Sequence, residues 1–180
     1  MTEEEFIPVL RDHWRKTIED VGGYCPCCER WGKIYKRPLN STMARSLMWL
    51  VNTPHRGDGW THVPDVAPTW LLRAPQLTSL SYWGLVVPFS KESKLLSSGL
   101  WKPTNNGIRF AHNELRVPKY VFLYNNRVLE TTGEDVSIVE CLGDKYDYNA
   151  ITENYNGTDS LQERIAQNIR EEDYDYDSRG

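Results

Sequence analysis

Three prolines within twelve residues set the tightest limit on what this chain can become. In "THVPDVAPTWLLRAPQLTSLSYWGLVV", residues 61–87, Pro64, Pro68 and Pro75 recur at spacings of four and seven. Proline lacks a donor N–H and its ring clashes with the preceding turn, so it belongs in the first turn of a helix and not inside one. A single long helix or a central strand is thereby excluded. The spacing predicts two short helices, about 67–73 and 75–83, with Gly84 closing the second as a left-handed cap. Leu77 and Leu80 then face inward, and Leu85-Val86-Val87 begins a strand.

The flanking sequence predicts the remaining elements. Thr2 caps a helix to residue 20, Glu5 stands at the capping-box position, and Phe6, Val9, Leu10, Trp14 and Ile18 form its apolar face. Gly22-Gly23 ends it. Asn40 or Ser41 caps a second helix whose stripe is Ala44, Leu47, Met48 and Val51. "KIYKRP" and "LWKPT" read as extended segments, with "NNG" at 105–107 as a turn. "KYVFLYNNRVLE" is a hairpin joined at Asn125-Asn126, a pair tolerant of positive φ. "EDVSIVECLG" is a helix capped by Thr132 or Asp135, and "SLQERIAQNIREE" a last polar helix. The terminal "EEDYDYDSRG" is too acidic to bury a core and is expected to order only on a partner.

Within residues 40–112, the helix exit "LTSLSYWGLVV" precedes a basic loop and the strand "GLWKPTNNG", where Thr104 stands three residues before Gly107. This order of helix, short helix, helix and two strands resembles a winged helix-turn-helix domain over roughly 40% of the chain. The resemblance implies that the 75–83 helix is the recognition helix, with Gln76, Ser79 and Tyr82 outward, Thr78 at the edge and Arg73 just before it. Glutamine suits adenine, serine suits several base edges, and arginine suits guanine or phosphate. Lys91 and Lys94 of the wing, with Lys102 nearby, and Arg37 and Arg45 around the first helix are expected to contact the DNA backbone. The run "CPCCERWGKIYKRPLNSTMARSLMWL", with "YWGLV" and "GLWKPT", further resembles small uncharacterised proteins of tailed phages and prophages. That implies a host-cell cytoplasm and a host-directed or accessory role, and no activity.

Cys25-Pro26-Cys27-Cys28 contains a CPxC knuckle, two thiols spaced to share one tetrahedral ion. A second CxxC is absent, so the expected zinc set is Cys25, Cys28, His55 and His62, or a three-cysteine variant in which Cys27 replaces one histidine. A metal-free knuckle and a redox thiol are the alternatives. The redox reading lacks the βαβ context of a thioredoxin-like motif.

Charge speaks to partners. From Tyr24 to Lys119 there are 13 Lys and Arg against 5 Asp and Glu, whereas from Tyr120 onward there are 5 against 14. The basic middle fits double-stranded DNA. The acidic, tyrosine-rich end fits a basic surface on a host protein, which is the competing adaptor or inhibitor reading. Four cysteines, three of them crowded together, make no disulfide framework. With no apolar run of membrane-spanning length and no basic-then-apolar leader, the reading is a cytoplasmic protein without a membrane partner. For catalysis, His112-Asn113-Glu114 invites comparison with HNH nucleases, but no following helix completes such a site. Walker A, G-x-G-x-x-G and G-x-S-x-G runs are absent, and no catalytic residue is assigned.

The expected fold class is α+β. It consists of an N-terminal helix (1–23), the knuckle (24–38), a winged-helix domain (39–119), a hairpin and helical extension (120–170) and an acidic tail (171–180).

Overall fold

A computed structural model of the chain describes residues 3–53, 59–89 and 99–145. Helices and small antiparallel sheets mix in an α+β arrangement. The chain divides into two compact units: a head, Met1–Pro38 with Pro118–Glu134, and a core, Leu39–Val117 with Asp135–Gly180. The hairpin expected as an extension of the winged-helix domain thus belongs with the N-terminal residues. The polar helix and acidic tail expected beyond residue 159 lie outside the described residues.

The core unit is organised on α2 (Ser41–Asn52). Asn40 caps it from an extended conformation, its side-chain oxygen accepting the Met43 N–H at 2.9 Å. Met43, Ala44, Leu47, Leu50 and Val51 line its buried side. Next come β4 (Thr61–His62), α3 (Val63–Val66), which carries Pro64 in its first turn, and α4 (Thr69–Arg73), which follows Pro68. Leu77–Trp83 is a 3-10 helix, starting two residues after Pro75 and closed by Gly84 at φ 66°. β5 (Val86–Pro88) and β6 (Leu100–Pro103) complete an antiparallel sheet ordered β4-β6-β5. Leu47, Leu50, Leu80, Leu85, Ile108, Phe110 and Ile138 are sealed from solvent in one apolar cluster. Each contributes about 1.5–3 kcal/mol of burial.

Residues 105–107 depart from the expected turn. Asn105–Ala111 is a helix, α5, and Thr104 is its cap, accepting the Gly107 N–H at 3.0 Å. A Cβ on Gly107 would lie 2.0 Å from the Leu85 carbonyl oxygen, so only glycine permits this helix start to approach the 3-10 exit. After the head's hairpin the chain returns to the core as α6 (Ile138–Leu142). Its cap is Ser137 in a capping box with Glu140, in place of the expected Thr132 or Asp135.

In the head, α1 (Glu3–Asp20) is followed by the two-residue strands β1 (Gly23–Tyr24) and β2 (Trp31–Gly32), then β3 (Tyr35–Pro38). β7 (Val117–Tyr124) lies between β3 and β8 (Arg127–Val136), with Tyr35 opposite Leu123 and Lys36 opposite Phe122. Asn125 and Asn126 turn the hairpin at φ 50° and 60°, as their composition predicts. α1 buries Ile18 and sets Trp14 edge-on to Tyr124, with centroids 6.3 Å apart. Phe6 and Val9, expected on the buried face, are 49% and 56% exposed. Within residues 6–20 of α1 the buried apolar residue is Ile18, near the C-terminal end. Among the described residues no helix is long and apolar enough to cross a membrane.

Candidate nucleic-acid interface and cysteine knuckle

The 3-10 helix determines which side chains of the core unit can meet a ligand. With three residues per turn its positions fall into three rows. Leu77, Leu80 and Trp83 form the inward row. Ser79 and Tyr82 share a second row, where Ser79 is 7% exposed and Tyr82 half-buried. Thr78 and Ser81 form the row open to solvent, and the Ser81 hydroxyl donates to the Thr78 carbonyl at 2.7 Å. Ser79 is therefore a buried residue, and the outward serine is Ser81. The α-helical spacing assumed for 75–83 misassigned the row.

Arg73 ends α4 and is exposed, and Gln76 is half-buried just before the 3-10 helix. Arg45 projects from the exposed side of α2, with its guanidinium 4.2 Å from the Trp70 ring centroid. That stacking holds the charge at the surface and covers the indole. Lys102, expected to help the wing hold phosphate, is 8% exposed, and its ammonium lies 5.1 Å from the Trp60 ring centroid. Trp60 meets Phe89 edge-on at 5.0 Å, so the Lys102 stem belongs to an aromatic cluster and not to a wing tip. Lys91 and Lys94 lie outside the described residues.

In the head, Arg37 is exposed on β3 opposite Val121. Its neighbour Lys36 stands 4.2 Å from the Tyr120 ring centroid and 5.8 Å from that of Phe122. Sequence reasoning passed over this basic and aromatic pairing, because it depends on β3 meeting β7 some 80 positions later.

Cys25, Cys27 and Cys28 occupy the tip of the β1–β2 hairpin, where Gly23 pairs with Gly32 and Tyr24 with Trp31. The Cys25 N–H donates to the Arg30 carbonyl at 2.8 Å, and the Glu29 N–H to the Cys25 carbonyl at 2.9 Å. Glu29 takes a left-handed φ of 58° to close the turn. The backbone N–H groups of Cys27 and then Cys28 point at the Cys25 sulfur, and they hold its pKa below the ordinary thiol value by stabilising the thiolate. Cys27 and Cys28 are exposed and all four cysteines are free thiols.

His62, the described member of the expected histidine pair, has Nδ1 2.7 Å from the Asp65 carboxylate. His55, and with it the Cys2His2 set as a whole, lies outside the described residues. Among the described residues no three His, Cys, Asp or Glu side chains converge on a cation position.

His112 caps the C-terminal end of α5 and Asn113 follows at φ 61°, so the HNH-like run sits at a helix exit with no helix after it. No family model matches this chain, nor does any curated protein or solved structure.

Proposed function

We propose that the core unit binds double-stranded DNA as a winged-helix module, and that the chain acts as a phage regulator or accessory factor without catalysis of its own. The observation that carries this reading is the order of its elements. A helix, a strand, a helical pair, a third helix and two further strands follow one another, in a sheet ordered β4-β6-β5. A winged-helix domain joins its first strand to the sheet through the last strand of the wing, as β4 pairs with β6 here. In chain order residues 90–98 correspond to the wing and supply Lys91 and Lys94.

On this reading Thr78 and Ser81 face the base edges, with Gln76 and Tyr82 at the margins. Arg73 and Arg45 meet phosphate. The test is duplex binding as a function of salt, read by fluorescence anisotropy. Affinity should fall log-linearly, with a slope of about −0.9 per neutralised phosphate, and Lys91→Ala with Lys94→Ala should flatten it. Absence of duplex binding near 50 mM salt, or a flat salt response, would remove the proposal.

The acidic excess after Tyr120 favours a second reading, in which this end of the chain docks on a basic host protein such as a nucleic-acid enzyme or a defence component. Deleting residues 171–180 separates the two. Loss of partner capture with duplex binding intact supports the adaptor, whereas a change in duplex affinity alone supports the DNA reading.

A further inference from the structure

α1 and the three-stranded sheet of the head flank a groove of about 770 Å³. Every residue that lines it belongs to the head. Its floor is apolar: Trp14 and Ile18 of α1, Ile34 just before β3, Phe122 and Tyr124 of β7, and Leu129 of β8. That volume and lining are those of a small-molecule site, in which a few charged groups fix the orientation of an apolar ligand.

Local packing holds the floor in place. The Ile34 N–H donates to the Ile18 carbonyl at 2.7 Å, tying the approach to β3 to the last turn of α1. Gly32 lets Trp14, Ile18 and Tyr124 converge, because a Cβ there would lie 3.0, 3.2 and 3.4 Å from them. Leu129 is 53% exposed, and Phe122 and Tyr124 are half-buried, so apolar surface remains open at the mouth.

Charge is divided along the wall. Arg11 and Arg15, one turn apart on α1, both line the groove and are exposed. Side chains four apart on a helix share a face, so both guanidinium groups can reach one anion. Lys36 adds a third positive charge beside the floor, 5.8 Å from the centroid of the Phe122 ring. Glu19, one further turn along α1, and Glu130 of β8 also line the groove. They repel a second negative charge, which disfavours a nucleic-acid strand or a dicarboxylate.

We infer that this groove binds a small organic monocarboxylate, with its apolar body on the floor and its carboxylate held by Arg11 and Arg15. Removing the body from water supplies the affinity, and the arginine pair against the two glutamates sets the charge of the ligand. This inference is independent of the DNA-binding proposal, which concerns the core unit.

Isothermal titration calorimetry of the full-length chain with 1-naphthoate and octanoate, each set against its neutral alcohol, tests it. The expected result is saturable one-to-one binding of at least one acid, about tenfold tighter than its alcohol, with a preference that shrinks as salt is raised. These comparisons need no mutation. Arg11→Gln with Arg15→Gln should erase the preference for acid over alcohol and leave the circular dichroism unchanged, because both side chains are exposed. Leu129→Asp should weaken the acid by about tenfold, since it places a charge on the floor. Glu19→Gln with Glu130→Gln should strengthen binding of naphthalene-1,4-dicarboxylate, which the wild type should hold more weakly than 1-naphthoate. Absence of saturable binding by both acids, equal affinity for acid and alcohol, or a preference that survives loss of both arginines would each overturn the inference.

Discussion

The Thr104 hydroxyl donates to the carbonyl of Gly84 at 2.6 Å, tying the start of α5 to the residue that closes the 3-10 helix twenty positions earlier. The same oxygen accepts the Gly107 N–H, and the Thr104 N–H donates to Leu85 at 3.1 Å. Two hydrogen bonds from Thr104, to Gly84 and Leu85, thus join the exit of the proposed recognition helix to the end of β6, while the third caps α5.

This junction should be sensitive to small changes. Thr104→Ala removes the cap and the tie to Gly84 and should cost about 1–2 kcal/mol. Gly107→Ala pushes a methyl group into the Leu85 carbonyl and should cost about 3 kcal/mol. Urea unfolding midpoints check both, and an unchanged midpoint for Gly107→Ala would contradict the close approach described.

DNA binding should distinguish the rows of the 3-10 helix. Thr78→Ala and Ser81→Ala should lower duplex affinity, by about tenfold where the side chain reaches a base. Ser79→Ala should leave affinity intact and lower stability by about 1 kcal/mol, as loss of a buried hydroxyl requires. Arg73→Ala should weaken all duplexes alike and reduce the salt slope by about 0.9. Anisotropy titrations on two unrelated duplexes separate these outcomes.

The hairpin return into the core carries a pH-dependent contact. The Glu140 carboxylate accepts the Ser137 N–H at 2.6 Å and reaches the Arg116 guanidinium at 2.8 Å. The Ser137 amide first, and Arg116 second, hold its pKa below the ordinary carboxyl value. A depressed folded-state pKa stabilises above the unfolded value, about 4.3, and that stabilisation is lost as pH falls through the folded one. Glu140→Gln should therefore be less stable than wild type at pH 7, and the gap should close as the solution is acidified below about pH 4.3. Parallel denaturant curves across that range measure it.

Packing in the head is close at Gly32, where a Cβ would sit 3.0 Å from Trp14 and 3.2 Å from Ile18. Gly32→Ala should force the indole aside, cost about 1–3 kcal/mol and shift the tryptophan fluorescence. An unaltered spectrum and unfolding midpoint would show that the indole yields freely.

Elements governed by near neighbours were legible in the sequence. The Asn40 cap, the Gly84 cap and the Asn125-Asn126 turn each depend on a few adjacent residues, and each is where composition predicts; the proline-rich stretch, expected to hold two helices, holds three, Val63–Val66, Thr69–Arg73 and Leu77–Trp83. What stayed hidden depends on distant contacts. Asn105-Asn106-Gly107 resembles a turn until the Leu85 carbonyl is known to press on Gly107. Ser79 looks outward at α-helical spacing and turns inward when the helix tightens. Lys102 has the charge of a wing residue, but its stem is enclosed beside Trp60. For the candidate site, Arg73 and Arg45 could be found by their charge, whereas the open Thr78–Ser81 row depends on a helix type that no local signal announces.

The hairpin 118–134 is the last part of the head to be made, yet it supplies two of the three strands in the sheet that begins at Tyr35. A ribosome therefore releases the N-terminal 38 residues long before their partner strands exist, and β3 must wait with both edges unpaired while α2 through α5 are synthesised. The core is likewise incomplete until α6 emerges after the hairpin. Neither unit can be cut out as one continuous stretch of chain, so a fragment ending near residue 117 should expose strand edges and aggregate. Folding of this protein is governed by its interleaved connectivity, with both units completed only by the final third of the described chain.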